Sequence, residues 1–174
     1  MTENVRKQSV VVQSSLREKV ICILLMIGLF SIAGIGFYIT EKGIYVPPEF
    51  EKNVIEGVPE PDDHFMYGTM ETDYGYRFSM ATNIYQQEDG SAYVYFTNYE
   101  DNNVKMMCEI QKEETGETCY KSGVILPGQY VEKLLPVTEF PNEAFDAKIM
   151  IYSFEEGSWY SAGTVEIAAI VQAW

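Results

Sequence analysis

From Val20 to Ile39 the chain reads VICILLMIGLFSIAGIGFYI without a single charge. At about 1.5 Å per helical residue such a run spans a hydrocarbon core of roughly 30 Å. It predicts one transmembrane helix. Arg6, Lys7, Arg17 and Lys19 all precede the run, so the positive-inside bias puts residues 1–19 in the cytoplasm as a short tail and everything after residue 39 outside. A secretory signal peptide, with Val20 to Phe30 as its apolar region and Ser31-Ile32-Ala33 as its cleavage motif, is the competing reading. Both export the same domain. The continuation through Ile35, Phe37 and Ile39 favours the retained anchor.

After the run the pattern loses its apolar period. Residues 40–75 carry Pro47, Pro48, Pro59 and Pro61 among Glu49, Glu51, Glu56, Glu60, Asp62 and Asp63, which predicts an extended acidic stalk. Phe50, Val54, Ile55, Phe65 and Met66 are its candidates for docking onto a domain.

From residue 76 to 174 the period becomes two, the mark of half-buried strands. Arg77 to Gln86 alternates Phe78, Met80, Thr82 and Ile84 with polar or small residues, and Ala92 to Asn98 follows the turn Glu88-Asp89-Gly90. Val104 to Gln111, Thr118 to Ile125, Gln129 to Leu135, Phe145 to Phe154 and Thr164 to Ala173 complete the series, separated by Gly, Pro, Asp and Asn turns. About seven short strands with no soluble helix predict a mainly β domain, a Greek-key sandwich of immunoglobulin-like topology. A small closed barrel has the same sequence pattern.

Charge narrows the partners. Two of the 26 acids and four of the 12 bases precede residue 40, which leaves 24 acids against 8 bases beyond it. A domain this acidic repels phosphate backbones, so nucleic acid is excluded as a partner. Bilayer lipid, met through residues 20–39, is the one partner fixed by the pattern.

The stretches Met106-Met107-Cys108-Glu109-Ile110, Glu114-Thr115-Gly116-Glu117 and Tyr120-Lys121-Ser122-Gly123-Val124-Ile125-Leu126-Pro127-Gly128 together resemble a group of small N-terminally anchored envelope proteins of Gram-positive bacteria. In that group a strand of the type M-x-F-E-I passes through a D/E-T-G-E hairpin into Y-K-S-G-L-I-x-P-G. The likeness covers about residues 95 to 172 and rests largely on turn residues. It implies a single-pass protein with an extracytoplasmic sandwich, and no particular reaction. This chain departs from the group in having Cys108 and Cys119 where apolar residues are usual. They flank one turn, so a disulfide forms if their Cα atoms come within roughly 7 Å, and otherwise both are small core residues.

Catalytic chemistry is sparsely supplied. His64 is the only histidine, so neither a Ser-His-Asp set nor a two-histidine metal site can be assembled, and no cofactor or metal is expected. The acidic turns 88–90 and 100–103 lack the twelve-residue calcium-loop pattern. Aromatic residues are the better candidates: Tyr93, Tyr95 and Tyr99, together with Trp159 and Tyr160 near the last turn, are expected to form a flat platform. The plain alternative is that tyrosines merely cover a sandwich. The resulting expectation is a noncatalytic, membrane-anchored accessory module that engages another envelope or surface-assembly protein, with a carbohydrate-binding module near the wall as the second reading. A tail of about 19 residues is too short for a folded signalling domain. Oligomeric state is not legible.

Overall fold

The computed structural model describes residues 19–21, 24–28, 45–137 and 143–173. The chain divides into two units, Met1–Val46 and Pro47–Trp174. In the first, residues 19–21 and 24–28 are helical, and Val20, Ile21, Leu24, Leu25, Met26 and Ile27 each expose half or more of their surface. Among the described residues no helix is long and apolar enough to cross a membrane; most of the span predicted over 20–39 lies outside them.

The second unit is mainly β. Its strands are β1 (Val54–Glu56), β2 (Tyr67–Glu71), β3 (Arg77–Ala81), β4 (Asn83–Gln86), β5 (Ala92–Asn98), β6 (Val104–Lys112), β7 (Thr118–Lys121), β8 (Gln129–Leu134), β9 (Phe145–Glu155) and β10 (Ser161–Ala173). They form one mixed sheet in the order β1-β8-β5-β4-β10-β9-β6-β7, with β3 pairing both β2 and β5. β10 pairs antiparallel with β9 over most of its length and parallel with β4 at Ile170–Ala173. That join curls the sheet. Phe78, Met80, Ile84, Val94, Phe96 and Val131 from one half then meet Met106, Ile110, Ile149, Ile151 and Val171 from the other in one buried cluster. Alternation is cleanest in β9, where Phe145, Ala147, Ile149, Ile151 and Ser153 point inward, as a half-buried strand requires.

Three expectations change. Arg77–Gln86 is not one strand but two, because the chain breaks at Thr82: both halves pair with β5, but β3 takes β2 as its other neighbour and β4 takes β10. Thr118–Ile125 ends as a strand at Lys121, after which Val124 and Ile125 make isolated bridges to Phe50 and Met106. Residues 47–75, read as a stalk, instead lie along the sheet. β1 pairs with β8, β2 with β3, and Glu51 N donates to the Val124 carbonyl at 2.9 Å. Proline does not prevent this, since β1 lies between Pro48 and Pro59 and pairs along one side only.

The disulfide is also corrected. Cys108 and Cys119 are buried free thiols. Ser122 N donates to the Cys108 carbonyl at 2.9 Å, so Cys108 faces Ser122, and a bulge interrupts the ladder between Tyr120 and Thr118. Cys119 is three positions from Ser122, about 10 Å at roughly 3.3 Å per residue. That exceeds the reach of a bridge.

Candidate functional site

The outer face of the β2-β3-β5 region and neighbouring β4 is built from tyrosines and small hydroxyl residues. In β5, Val94 and Phe96 turn into the core, which sends Tyr93 and Tyr95 outward. A bulge between Tyr93 and Phe96 puts Tyr95 at φ 47°, in the left-handed region. The two rings stack with centroids 5.7 Å apart and planes 16° from parallel. Against them lies Phe65, on the single 3-10 turn Asp63–Phe65. Its ring is 5.0 Å from Tyr95 and 5.7 Å from both Tyr85 and Tyr93. Tyr67 meets Tyr95 edge-on at 6.4 Å, and these offset and edge geometries are the favoured ones for aromatic pairs.

Further along, the face is polar and connected. Tyr99 Oη lies 2.7 Å from Ser79 Oγ and 2.8 Å from Thr69 Oγ1, while Tyr67 Oη lies 2.9 Å from Thr97 Oγ1. Arg77 stands over the Tyr99 ring at 4.8 Å and binds Asp101 at 2.7 Å. Lys133 Nζ sits 4.4 Å above Tyr93, a cation–π contact that closes one border. An open groove of about 860 Å³ adjoins Tyr99 and is edged by Glu56, Glu100 and Asp101.

Trp159 and Tyr160 do not join this face. Trp159 packs against Phe50 and Phe154, each with centroids 5.7 Å away, and covers Lys105, whose Nζ is 3.8 Å from the ring and donates to the Ser158 carbonyl at 2.7 Å. Lys105 is only 5% exposed, so the indole shields a buried cation. Tyr160 is 76% exposed. Of the five predicted residues, the structure brings together Tyr93 and Tyr95, extends their face to Tyr99, and assigns Trp159 elsewhere.

Phe65, Tyr67 and Tyr85 were not foreseen as members. Tyr85 had a signal in its alternation with Ile84; Phe65 and Tyr67 fell in the segment read as a stalk. His64 packs its ring against Phe65 and Tyr85. Among the described residues there is no group of three or more His, Cys, Asp or Glu side chains able to hold a metal.

Burial shifts two hydroxyls of this face. The Tyr95 hydroxyl is pushed up to about 12, first by burial and then by the nearby Glu132, and burial raises Tyr67 as well. In the core, burial takes the Cys108 thiol to about 12. An unfolded chain releases these protons near 9 for the thiol and 10 for the phenol, so between there and pH 12 the folded state holds more protons than the unfolded one. Stability therefore falls as pH rises through that window. The urea midpoint is expected to drop between pH 7.5 and 10.5, and to drop less in Cys108→Ala. An unchanged midpoint would refute the buried thiol and phenol.

No protein-family profile, curated protein or solved structure matches the chain.

Proposed function

We propose that the chain is a noncatalytic envelope module: an N-terminal membrane anchor over residues 20–39 holds an immunoglobulin-like domain outside the cytoplasm, where its tyrosine face engages another protein of the envelope or of a surface assembly. The uncharged run and the cations before it support the anchor. Supporting the sandwich topology are the break between β3, which pairs with β2 and β5, and β4, which pairs with β5 and β10, the return of β8 to β5, and the return of β9 to β6 before the β9-β10 hairpin.

One observation carries the binding role: the stacked Tyr93–Tyr95 pair stands within a field of Tyr67, Tyr85, Tyr99, Thr69, Ser79 and Thr97. This is the chemistry of a protein-recognition surface. Tyrosine gives large amphipathic contact at small entropic cost, and the fully buried Ser79 and Thr97 hold the Tyr99 and Tyr67 hydroxyls in place from beneath.

Photo-crosslinking tests it. A photoreactive residue replacing Tyr93 in the full chain is expected to give one discrete protein adduct in cells, while the same residue replacing Glu166 in β10 gives none. Equal adducts at both positions, or none at either, would reject the proposed face. Sugar capture on a glycan array that disappears in Tyr95→Ala would instead favour the carbohydrate-binding reading.

A further inference from the structure

Phe65 is 5% exposed, yet it does not belong to the central core. It lies on the outer face of the sheet, where Tyr85, Tyr93 and Tyr95 present their rings to it at 5.0 to 5.7 Å. The segment that brings it there, Val58-Pro59-Glu60-Pro61-Asp62-Asp63-His64-Phe65-Met66, contains no strand, only the single turn Asp63–Phe65. Two side chains hold its end: Asn83 Nδ2 donates to the His64 carbonyl at 2.7 Å and Thr82 Oγ1 to the Met66 carbonyl at 3.4 Å. Met66 then reverses the chain with φ 49° in the left-handed region. The arrangement is that of a short acidic, proline-containing peptide bound through one aromatic side chain, with receptor and ligand on one chain.

We infer that the Tyr85–Tyr93–Tyr95 pocket is a docking site for an aromatic side chain on an extended acidic segment of a partner protein, and that Phe65 occupies it in cis as a displaceable plug. This rests on the reading of the tyrosine face as a binding surface. The cis segment supplies the template for the ligand: an aromatic residue set against the three rings, with carboxylates beside it as Asp62 and Asp63 are here. A tethered segment competes at an effective concentration on the order of millimolar, so an external ligand has to displace it, and the partner's affinity is set by that competition.

The probe is a synthetic peptide of residues 58–66, added to the isotope-labelled full chain and followed by NMR. Phe65→Ala is expected to bind it at least about tenfold more tightly than the unsubstituted chain, because the tethered competitor is removed. Shifts should be confined to the surroundings of Tyr85, Tyr93 and Tyr95, and a peptide carrying alanine for its phenylalanine should not bind. Phe65→Leu, a milder change that weakens the tethered segment and leaves both the pocket and the probe intact, should raise peptide binding severalfold and serves if Phe65→Ala fails to fold. A folded Phe65→Ala, or else Phe65→Leu, that binds the peptide no better than the unsubstituted chain overturns the plug. The crosslink at position 93 fails or succeeds separately: an adduct there without any gain in peptide binding rejects the plug alone, and a gain without an adduct rejects the envelope partner alone.

Discussion

Replacing Asn98 with alanine is expected to destabilise the domain by about 3 kcal/mol, the outlay for leaving several buried polar groups unpaired at once. Asn98 is fully buried at the end of β5. Its Nδ2 donates to the Val104 carbonyl at 2.8 Å and more weakly to the Ile125 carbonyl at 3.4 Å, while its Oδ1 accepts from Asn102 Nδ2 at 2.7 Å. Asn102 in turn clasps β3, with its Oδ1 accepting from Arg77 N at 3.0 Å. One side chain thus ties together the end of β5, the start of β6 and, through the loop between them, β3. Alanine removes all three of its side-chain bonds and offers no replacement, whereas aspartate would turn an acceptor toward two carbonyls and should cost at least as much. Urea unfolding with an unchanged slope and a lowered midpoint is the expected record. A loss below about 0.5 kcal/mol would mean that water satisfies these groups and that the knot contributes little.

The period-two pattern made the β character and the positions of β5, β6, β8 and β9 legible, because one face of each of these strands meets the shared core and the other does not. The turns were legible for a similar local reason. Gly90 and Gly116 stand at φ 80° and 70°, where glycine is the easy residue, and Asp89 Oδ1 accepts from Ser91 N at 2.9 Å. What could not be read depends on pairing across the sheet. The break at Thr82 leaves the inward parity intact, since Phe78, Met80, Ile84 and Gln86 all sit on even positions, so a single long strand has the same sequence signature as two. The register that sets Cys108 opposite Ser122, three positions from Cys119, likewise leaves no local mark.

The candidate site was half legible. Tyr93 and Tyr95 announce themselves by alternating with Val94 and Phe96. Phe65 does not, because its burial is set by the outer face of β4 and β5 rather than by a periodic pattern of its own. Trp159 misled for the converse reason: a turn beside Glu155-Glu156-Gly157 suggests exposure, but the ring is drawn back over the buried Lys105 ammonium.

Gly123 explains why residues 47–56 are strapped to the domain, and it carries the second large expected effect. Glu51 crosses Gly123 so closely that a Cβ built there would stand 2.5 Å from the Glu51 backbone nitrogen and 2.6 Å from its Cα. Backbone on both sides leaves nothing flexible to yield. The same crossing is fixed by Gly123 N, which donates to Glu51 Oε2 at 2.8 Å, by Val124 N, which donates to the Glu49 carbonyl at 2.8 Å, and by the Phe50 ring against Trp159. Gly123→Ala must therefore push the strap off the sheet, losing these bonds together, and a loss of about 3 kcal/mol is expected. Gly157→Ala, whose Cβ would meet nothing within 4 Å, should change stability by less than about 0.5 kcal/mol. Trypsin distinguishes strap release from general unfolding: cleavage after Lys52, in the strap, should accelerate in Gly123→Ala under conditions where cleavage after Lys105, buried under Trp159, does not. If both bonds are cut at the same increased rate, the strap is part of the global folding unit. If neither rate changes, the close approach of Glu51 to Gly123 does not hold the N-terminal segment, and the attachment of residues 47–56 must lie in the β1–β8 pairing alone.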